Sequence, residues 1–533
     1  MKKTPCYLLL LLLVQGTMLH ADDFYYDLTG NPGWLGSNAW SLTESDPVYN
    51  QSWADITTGN DTARFSTTLT NHSINVGGGV VNLGSGGIYR TAPGSDDVLR
   101  ISAGGTDSTL RFNGGTVRAG SSNGQVVQIY SNGTSKVKLE GNFTVSQGTF
   151  LLTAADGITN AYEGTATIGT STTAGQLAFN GSGTVSNQTH LLIQQGIVRA
   201  GWGNGMGTGF NFGTLALNAP TLAGGTFQIG ANSGTEGLNV SVTSLSGTLG
   251  QINLINAANN TTITSSLTVN QAGDTVYSGT IAGVATGATN RVHYLSFTKS
   301  GEGILRLQTG TTNNTINLRA GTTVNAGTLL INGTGTRNFE NVNGENAITV
   351  NAGGTFGGTS ALTLHGGDHL RVEDGGFLSP GDGDGVAGRT SLTFTGEDGA
   401  LDLSNVTTAT GWLKFDLGAD TTAGTTYDQI RLTDGIFNIG TGLLEFDDFS
   451  FQLLAGFGEG TYRLVELAGE SSLQGTLGSQ TVGLINANFV GTLYFDESDH
   501  LMLEVAAVPE PSALLLSAGA GLGMLHLLRR RRA

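Results

Sequence analysis

The chain has 533 residues, of which 84 are glycine and 8 proline, and only 12% are charged. Glycine is about twice as frequent as the roughly 7% of average proteins. Because glycine costs about 1 kcal/mol at each helical position, this composition argues against a helical bundle. The formal net charge of -17 argues against nucleic acid as a partner, since phosphates would be repelled. The composition instead predicts many short strands joined by tight turns.

Residues 1–21 are typical of a secretory signal peptide. Lys2 and Lys3 precede an apolar run, Tyr7–Val14, that is too short to span a bilayer. Ala21 offers a small residue for cleavage before Asp22, and the alternative is a buried N-terminal helix or strand. The single cysteine precedes the apolar run, so the exported chain would carry neither a disulfide nor a cysteine-bound metal. We therefore expect export through the Sec translocon.

Residues 22–64 contain three of the five tryptophans, Trp34, Trp40 and Trp53. The repeats that follow predict a solenoid, and the first coil of a solenoid exposes a strand edge that must be covered. We interpret this segment as a hydrophobic N-terminal cap. The alternative is an aromatic platform that stacks against sugar rings.

Residues 65–415 repeat. Val324–Thr328 returns as Val350–Thr355 after 26 residues, and short strands such as Leu110–Phe112 alternate apolar and polar positions between glycine-containing turns. Periods of about 20–30 residues indicate one solenoid rather than several separate domains. Leucine-rich repeats share this period, but they need helical stretches that are missing here. The pattern therefore predicts an all-β fold, a right-handed parallel β-helix in which each turn contributes two or three short strands.

Part of this region resembles a known family. Phe297–Leu307 followed by Gly321–Gly333 is similar to the autotransporter-associated β-strand repeat of passenger domains, and Thr355–Gly381 resembles the rung that often follows it. The similarity covers residues 295–385. It implies a β-helical passenger displayed at the cell surface. Autotransporters end in an outer-membrane barrel through which they translocate themselves. Here a single apolar segment is expected in its place, so we do not expect the protein to translocate itself.

Residues 416–507 contain less glycine and longer strands, such as Tyr462–Leu467 and Leu501–Val505. They predict an antiparallel β cap. Residues 508–533 follow with Val508, Pro509, Glu510 and Pro511, then 17 residues without formal charge, and then Arg529, Arg530, Arg531 and Arg532. Seventeen apolar residues are the lower limit for a transmembrane helix, and the arginines obey the positive-inside rule.

The order of these C-terminal elements resembles the PEP-CTERM sorting signal of Gram-negative bacteria. The resemblance implies an exosortase as partner, which removes the helix near Pro509–Pro511. The protein would then be anchored transiently in the inner membrane and afterwards reside at the cell surface, in the outer envelope or in the extracellular matrix. The alternative is an ordinary tail anchor.

Two motifs offer metal ligands only superficially. His365, Asp368 and His369 carry suitable side chains, but Gly366 and Gly367 between them predict a turn, so we interpret the histidines as surface residues flanking it. Residues 382–385, Asp-Gly-Asp-Gly, lack the third ligand and the distant glutamate of an EF-hand calcium loop.

Carboxylate doublets do not form catalytic pairs within one strand, because adjacent residues point to opposite faces. The doublets are Asp96–Asp97, Glu373–Asp374, Glu397–Asp398, Asp447–Asp448 and Asp496–Glu497. We therefore expect no catalytic residue, no cofactor and no metal site, and interpret the protein as a non-enzymatic, adhesin-like structural protein. Its further partners would be extracellular polysaccharide or attached glycans. The alternative is a lyase, a glycosidase or a polysaccharide-binding protein on the same fold, with carboxylates contributed by neighbouring rungs.

Overall fold

The structure is a computed structural model. It describes residues 23–26, 34–35, 40–41, 62–65, 72–90, 98–103, 105–121, 125–130, 135–153, 162–180, 185–201, 209–221, 223–230, 237–255, 262–286, 292–309, 315–383, 385–420 and 422–508. The signal peptide with Ala21 and Asp22, the sorting signal from Pro509 onward with Arg529–Arg532, and Trp53 lie outside these residues.

The described residues form strands and one short 3-10 helix, Phe446–Asp448. The strands of the N-terminal part are β1 Asp23–Tyr26, β2 Trp40–Ser41, β3 Thr62–Phe65, β4 His72–Asn75, β5 Gly79–Gly84, β6 Gly87–Arg90, β7 Val98–Ser102, β8 Ser108–Phe112, β9 Gly115–Arg118, β10 Val126–Tyr130, β11 Val137–Glu140, β12 Phe143–Thr153, β13 Tyr162–Ile168, β14 Gly175–Asn180, β15 Val185–Ile193, β16 Gly196–Ala200, β17 Gly209–Asn218 and β18 Gly225–Ile229. The strands of the central part are β19 Asn239–Leu249, β20 Gln251–Leu254, β21 Thr262–Asn270, β22 Thr275–Tyr277, β23 Thr280–Thr286, β24 Val292–Ser300, β25 Ile304–Thr309, β26 Ile316–Leu318, β27 Thr322–Val324, β28 Gly327–Gly333, β29 Arg337–Phe339, β30 Asn346–Val350, β31 Gly354–Gly358, β32 Ala361–His365, β33 His369–Glu373, β34 Phe377–Pro380, β35 Arg389–Thr395 and β36 Ala400–Asn405. The strands of the C-terminal part are β37 Leu413–Leu417, β38 Gln429–Thr433, β39 Ile436–Leu444, β40 Phe449–Leu453, β41 Gly460–Ala468, β42 Ser472–Leu477, β43 Val482–Leu484, β44 Phe489–Phe495 and β45 Leu501–Ala507.

The strands stack in parallel, coil upon coil, so the fold is all-β and solenoid-like as predicted. From β19 to β39 each strand pairs with the third strand after it, which gives three parallel sheets. Sheet I contains β17, β19, β21, β24, β27, β30, β33, β36, β39 and β42. Sheet II contains β18, β20, β23, β26, β29, β32, β35, β38 and β41, and sheet III contains β22, β25, β28, β31, β34, β37 and β40. Between β12 and β18 the strands pair with the second strand after them instead, which leaves two sheets there.

Inward-pointing apolar side chains form columns along the axis of the solenoid. In sheet I the residues of one such column are in register from coil to coil: Leu267, Phe297, Thr322, Ile348, Leu370, Leu401 and Phe437. All of them are buried. The alternation of apolar and polar positions in the sequence therefore sets which face of each strand forms the core.

The two ends of the described region are closed differently. At the N-terminal end Trp34, Trp40 and Phe65 pack together, with ring centroids 5.4 to 5.9 Å apart, and Trp40 Nε1 donates to the Trp34 carbonyl at 2.8 Å. At the C-terminal end β45 pairs antiparallel with β41 and β44, and β43 pairs antiparallel with β44. Parallel pairing reaches β42, so the antiparallel part is shorter than the expected 416–507.

Within the described ranges no helix is long and apolar enough to cross a membrane.

Candidate functional site

The outer face of sheet I presents one polar side chain per coil in a continuous row. Its members are strand partners in register and share the outward direction: Asn211, Ser241, Thr268, Thr298, Thr323, Thr349, Arg371, Asp402, Asn438 and Gln474. Every one of these side chains can donate or accept a hydrogen bond. With coils about 4.8 Å apart, the row is a regular array of polar groups along the solenoid.

The two ends of this row are held by contacts between coils. Ser241 Oγ donates to Asn211 Oδ1 at 2.6 Å, and Asn438 Nδ2 donates to Asp402 Oδ1 at 3.0 Å. Arg371 Nε lies 3.6 Å from Asp402 Oδ2. These contacts fix the side chains from one coil to the next.

A cluster of exposed ion pairs joins the coils of the N-terminal part. Arg111 lies 2.8 Å from Glu140, and Lys138 lies 3.2 Å from Glu140 and 3.0 Å from Glu163. Hydrogen bonds to Glu163 and Glu140 raise the pKa of Lys138, and the hydrogen bond from Arg111 lowers the pKa of Glu140. Because these groups are solvent-exposed, the cluster is a surface contact of small energy.

The predicted turn between the two histidines is present. Gly366 and Gly367 have φ values of 72° and 81°, a region that favours glycine. The side chains separate, because His365 Nδ1 contacts Thr395 Oγ1 at 3.0 Å while the Asp368 carboxylate accepts the Asn341 N–H at 2.5 Å. Burial raises the pKa of Asp368. In the described part of the chain no group of three His, Cys, Asp or Glu residues is arranged to hold a metal ion.

Asp382 and Gly383 lie against the outer face of sheet III. The Asp382 carboxylate accepts a hydrogen bond from Asn332 Nδ2 and lies 3.5 Å from Arg306 Nε. These contacts reach back over the preceding coils, and Leu330 beneath them has no exposed surface. The Asp382 carboxylate therefore already has hydrogen-bond and ion-pair partners, and these contacts attach Asp382 to the sheet.

The members of the carboxylate doublets have different partners. Glu373 accepts from Asn405 Nδ2 at 2.8 Å, whereas Asp374 accepts three backbone N–H groups of residues 407–409 at 3.0 to 3.1 Å. The hydrogen bond from the Thr408 hydroxyl, together with those backbone hydrogen bonds, lowers the pKa of Asp374 to about 2. Asp448 is buried and accepts from Trp412 Nε1 at 2.8 Å. Asp96 and Asp97 lie outside the described residues.

The alternative interpretation, an aromatic platform for sugar rings, is wrong for Trp34 and Trp40. Trp34 and Trp40 each have an exposed fraction of 0%. A side chain without accessible surface cannot stack against a sugar ring that arrives from solvent. The aromatic rings instead pack together at the start of the described coils.

Sequence reasoning missed a buried Ser–His pair in the core. Ser265 Oγ and His293 Nε2 are 2.7 Å apart, and His293 Nδ1 lies 2.8 Å from the Ile255 carbonyl. The carbonyl can only accept, so Nδ1 carries the proton and the serine hydroxyl donates to Nε2. Both residues are at most 1% exposed, which keeps substrates out. The signal in the sequence was that Ser265 and His293 are polar residues at inward positions of strands whose residues alternate between inward and outward.

Two further buried ionisable groups also serve the fold. Lys299 Nζ donates to the carbonyls of Ser300, Gly301 and Ala326 at 2.7 to 3.2 Å, and burial lowers its pKa to about 8. Asp428 accepts the N–H groups of Gly388 and Asp416 at 2.7 and 2.9 Å. Burial raises the pKa of Asp428 to about 8. Each group ties a turn to a neighbouring coil.

Of the predicted sorting motif only Val508 is described, and its N–H donates to the Asn488 carbonyl at 2.8 Å. No protein-family model matches the chain, and no curated protein matches it. The resemblances to the autotransporter-associated repeat and to the PEP-CTERM signal therefore stay predictions that rest on the motifs themselves.

Proposed function

We propose that the protein is a non-enzymatic, adhesin-like structural protein displayed at the surface of a Gram-negative cell. In this proposal the solenoid is a right-handed parallel β-helix, capped at both ends and sorted by an exosortase into the envelope or extracellular matrix. The observation that carries the proposal is the polar row of sheet I, which repeats one hydrogen-bonding side chain in each of ten stacked coils.

The placement of the ionisable groups supports a structural role. The carboxylates of Asp374, Asp382 and Asp428 accept hydrogen bonds from neighbouring coils or turns. A catalytic carboxylate must instead be free to reach a substrate. The buried Ser–His pair is likewise closed to substrate. The proposed mechanism is thus mechanical: stacked coils hold a long array of polar side chains in fixed positions.

The two termini support the proposed location. The N-terminal segment has the charge and apolar pattern of an export signal, and the C-terminal segment combines Pro509–Pro511, an apolar stretch and Arg529–Arg532. A stretch of that kind with basic residues after it would stop transfer and leave the solenoid outside the inner membrane.

Protease treatment of intact cells tests the location. An antibody against the solenoid should detect a protein that is degraded by added protease in the parent strain. A variant with glutamine at positions 529–532 should be degraded far less, because the sorting signal is damaged. A cytosolic protein with matched expression serves as the lysis control. Full protection of the unaltered protein in intact cells would contradict surface display.

A further inference from the structure

The middle of the polar row differs from its ends. Over four successive coils the row consists of threonine alone, Thr268, Thr298, Thr323 and Thr349, which are strand partners in register. We call these four residues the threonine strip. All four are half-buried, so their hydroxyls lie at the surface while the rest of each side chain packs beside its neighbours. With coils about 4.8 Å apart, the strip is about 14 Å long.

The hydroxyls of the threonine strip have no side-chain hydrogen-bond partner among the described residues. This separates the strip from the row's ends, where Ser241 bonds to Asn211 and Asn438 bonds to Asp402. Each threonine hydroxyl therefore has a free donor and free acceptor sites. Because threonine is stiff at χ1 in a strand, little side-chain freedom is lost when a ligand binds.

A second polar row runs beside the strip. It follows the strip by two residues and consists of Asn270 and Ser300, which are strand partners, and of Asn325 and Asn351, which come directly after β27 and β30. Asn351 Nδ2 donates to Asn325 Oδ1 at 2.7 Å, which aligns the two amides and leaves the Asn351 oxygen and the Asn325 amino group available. The two rows together form an array of hydroxyl and amide groups.

This array carries no charge, although the chain has 41 acidic residues. Charges border it instead, since the same row continues as Arg371 and Asp402. An uncharged array does not attract ions, and the net charge of -17 on the chain repels anionic polymers.

The array is equally unsuited to an apolar partner. The large hydrophobic side chains that are exposed in the described residues are Val80, Val276, Val342, Val386, Leu443, Val482 and Leu484, and none belongs to either row. A repeated set of neutral donors and acceptors fits a ligand that itself repeats neutral hydroxyl groups along an extended chain.

We propose that the threonine strip and the adjacent asparagine–serine row bind a neutral linear polysaccharide that lies along the solenoid axis. This inference rests on the proposed function and names the ligand class for the polar row. Hydroxyls of successive sugar residues would exchange hydrogen bonds with hydroxyls of successive coils, and the amides beside them would add bidentate contacts.

Affinity electrophoresis of the purified full chain tests the proposal. The native gels contain either hydroxyethyl cellulose, which is neutral, or carboxymethyl cellulose, which has the same backbone with negative charges. The test variant is the double substitution Thr298→Val and Thr323→Val, which removes two hydroxyls and keeps the β-branched shape. The matched control is Thr363→Val with Thr393→Val, a registered outward pair on sheet II. Circular dichroism melting must be the same for both variants.

The proposal predicts that hydroxyethyl cellulose retards the unaltered chain and the control variant equally. The test variant should bind at least fivefold more weakly, and carboxymethyl cellulose should retard all three less. The proposal would be overturned if hydroxyethyl cellulose, dextran and linear β-glucan all failed to retard the unaltered chain, or if the test and control variants lost binding equally. It would also be overturned if the test variant alone lost self-association, because the strip would then be an interface between copies of the chain. Because binding is measured in vitro, it is independent of the cellular location.

Discussion

Thr322 is the one polar member of an otherwise apolar core column. It lies between Phe297 and Ile348, is 1% exposed, and its hydroxyl is buried without a hydrogen-bond partner. Burying a hydroxyl without a partner costs about 1–3 kcal/mol in proteins. Burial of this hydroxyl therefore lowers the free energy of unfolding, and favourable contacts in the neighbouring coils must compensate for it.

Replacing this residue should stabilise the protein. In Thr322→Val a methyl group takes the place of the unpartnered hydroxyl, so we expect the free energy of unfolding to rise by about 1 kcal/mol. Urea unfolding followed by circular dichroism measures the change, and Thr323→Val, the neighbour that points outward, is the control. An unchanged or lower urea midpoint for Thr322→Val alone would show that the hydroxyl does have a partner.

At the scale of strands, buried polar pairs fix how one coil sits on the next. The Ser265–His293 hydrogen bond joins β21 to β24, and the Leu238 N–H donates to the same serine oxygen at 2.8 Å. A side chain at position 230 would meet the imidazole, since a Cβ placed on Gly230 lies 2.4 Å from His293 Cε1. The imidazole of His293 thus needs the absence of a side chain at position 230 and the hydroxyl of Ser265 as its hydrogen-bond partner.

The pair should make stability depend on pH. Burial holds the pKa of His293 below its ordinary value, so the folded state resists protonation. Stability from this residue is present above the unfolded pKa of about 6.5 and is lost as the pH falls below it. Burial raises the pKa of Asp428 to about 8, so that group changes stability in the opposite direction over the same range in every variant that keeps it. We therefore expect the urea midpoint of the unaltered protein to fall relative to that of His293→Gln between pH 7.5 and pH 5.5. An equal change in both proteins would assign the pH dependence to other groups.

The sequence was sufficient for the strands but not for their register. Alternation at positions such as Leu110 and Phe112 predicts the buried face of each strand, and the recurring glycine turns predict the stacking. Coil length varies, however: Ile304 pairs with Thr328, which pairs with Thr355, which pairs with Phe377. Contacts between coils, such as Ser265–His293 or Asp382–Asn332, depend on that register, so residue spacing alone could not predict them.

On the scale of the whole molecule, each coil contacts mainly the coils next to it. Stability in such an architecture is close to a sum of local terms, so a substitution in one coil perturbs that coil and its neighbours most. The same geometry repeats surface groups at a constant interval, which a compact fold does not. A long, regular polar surface is the property that the proposed role at the cell surface would use.

The proposed surface role depends on export and on sorting through the C-terminal signal. Mass spectrometry of the C-terminal peptide measures that sorting, in protein released by shaving intact cells and in protein from the cytosolic fraction. We expect the shaved protein to end near Pro509–Pro511 and to lack Arg529–Arg532. A chain that is recovered only from the cytosol and is intact through Ala533 would contradict it.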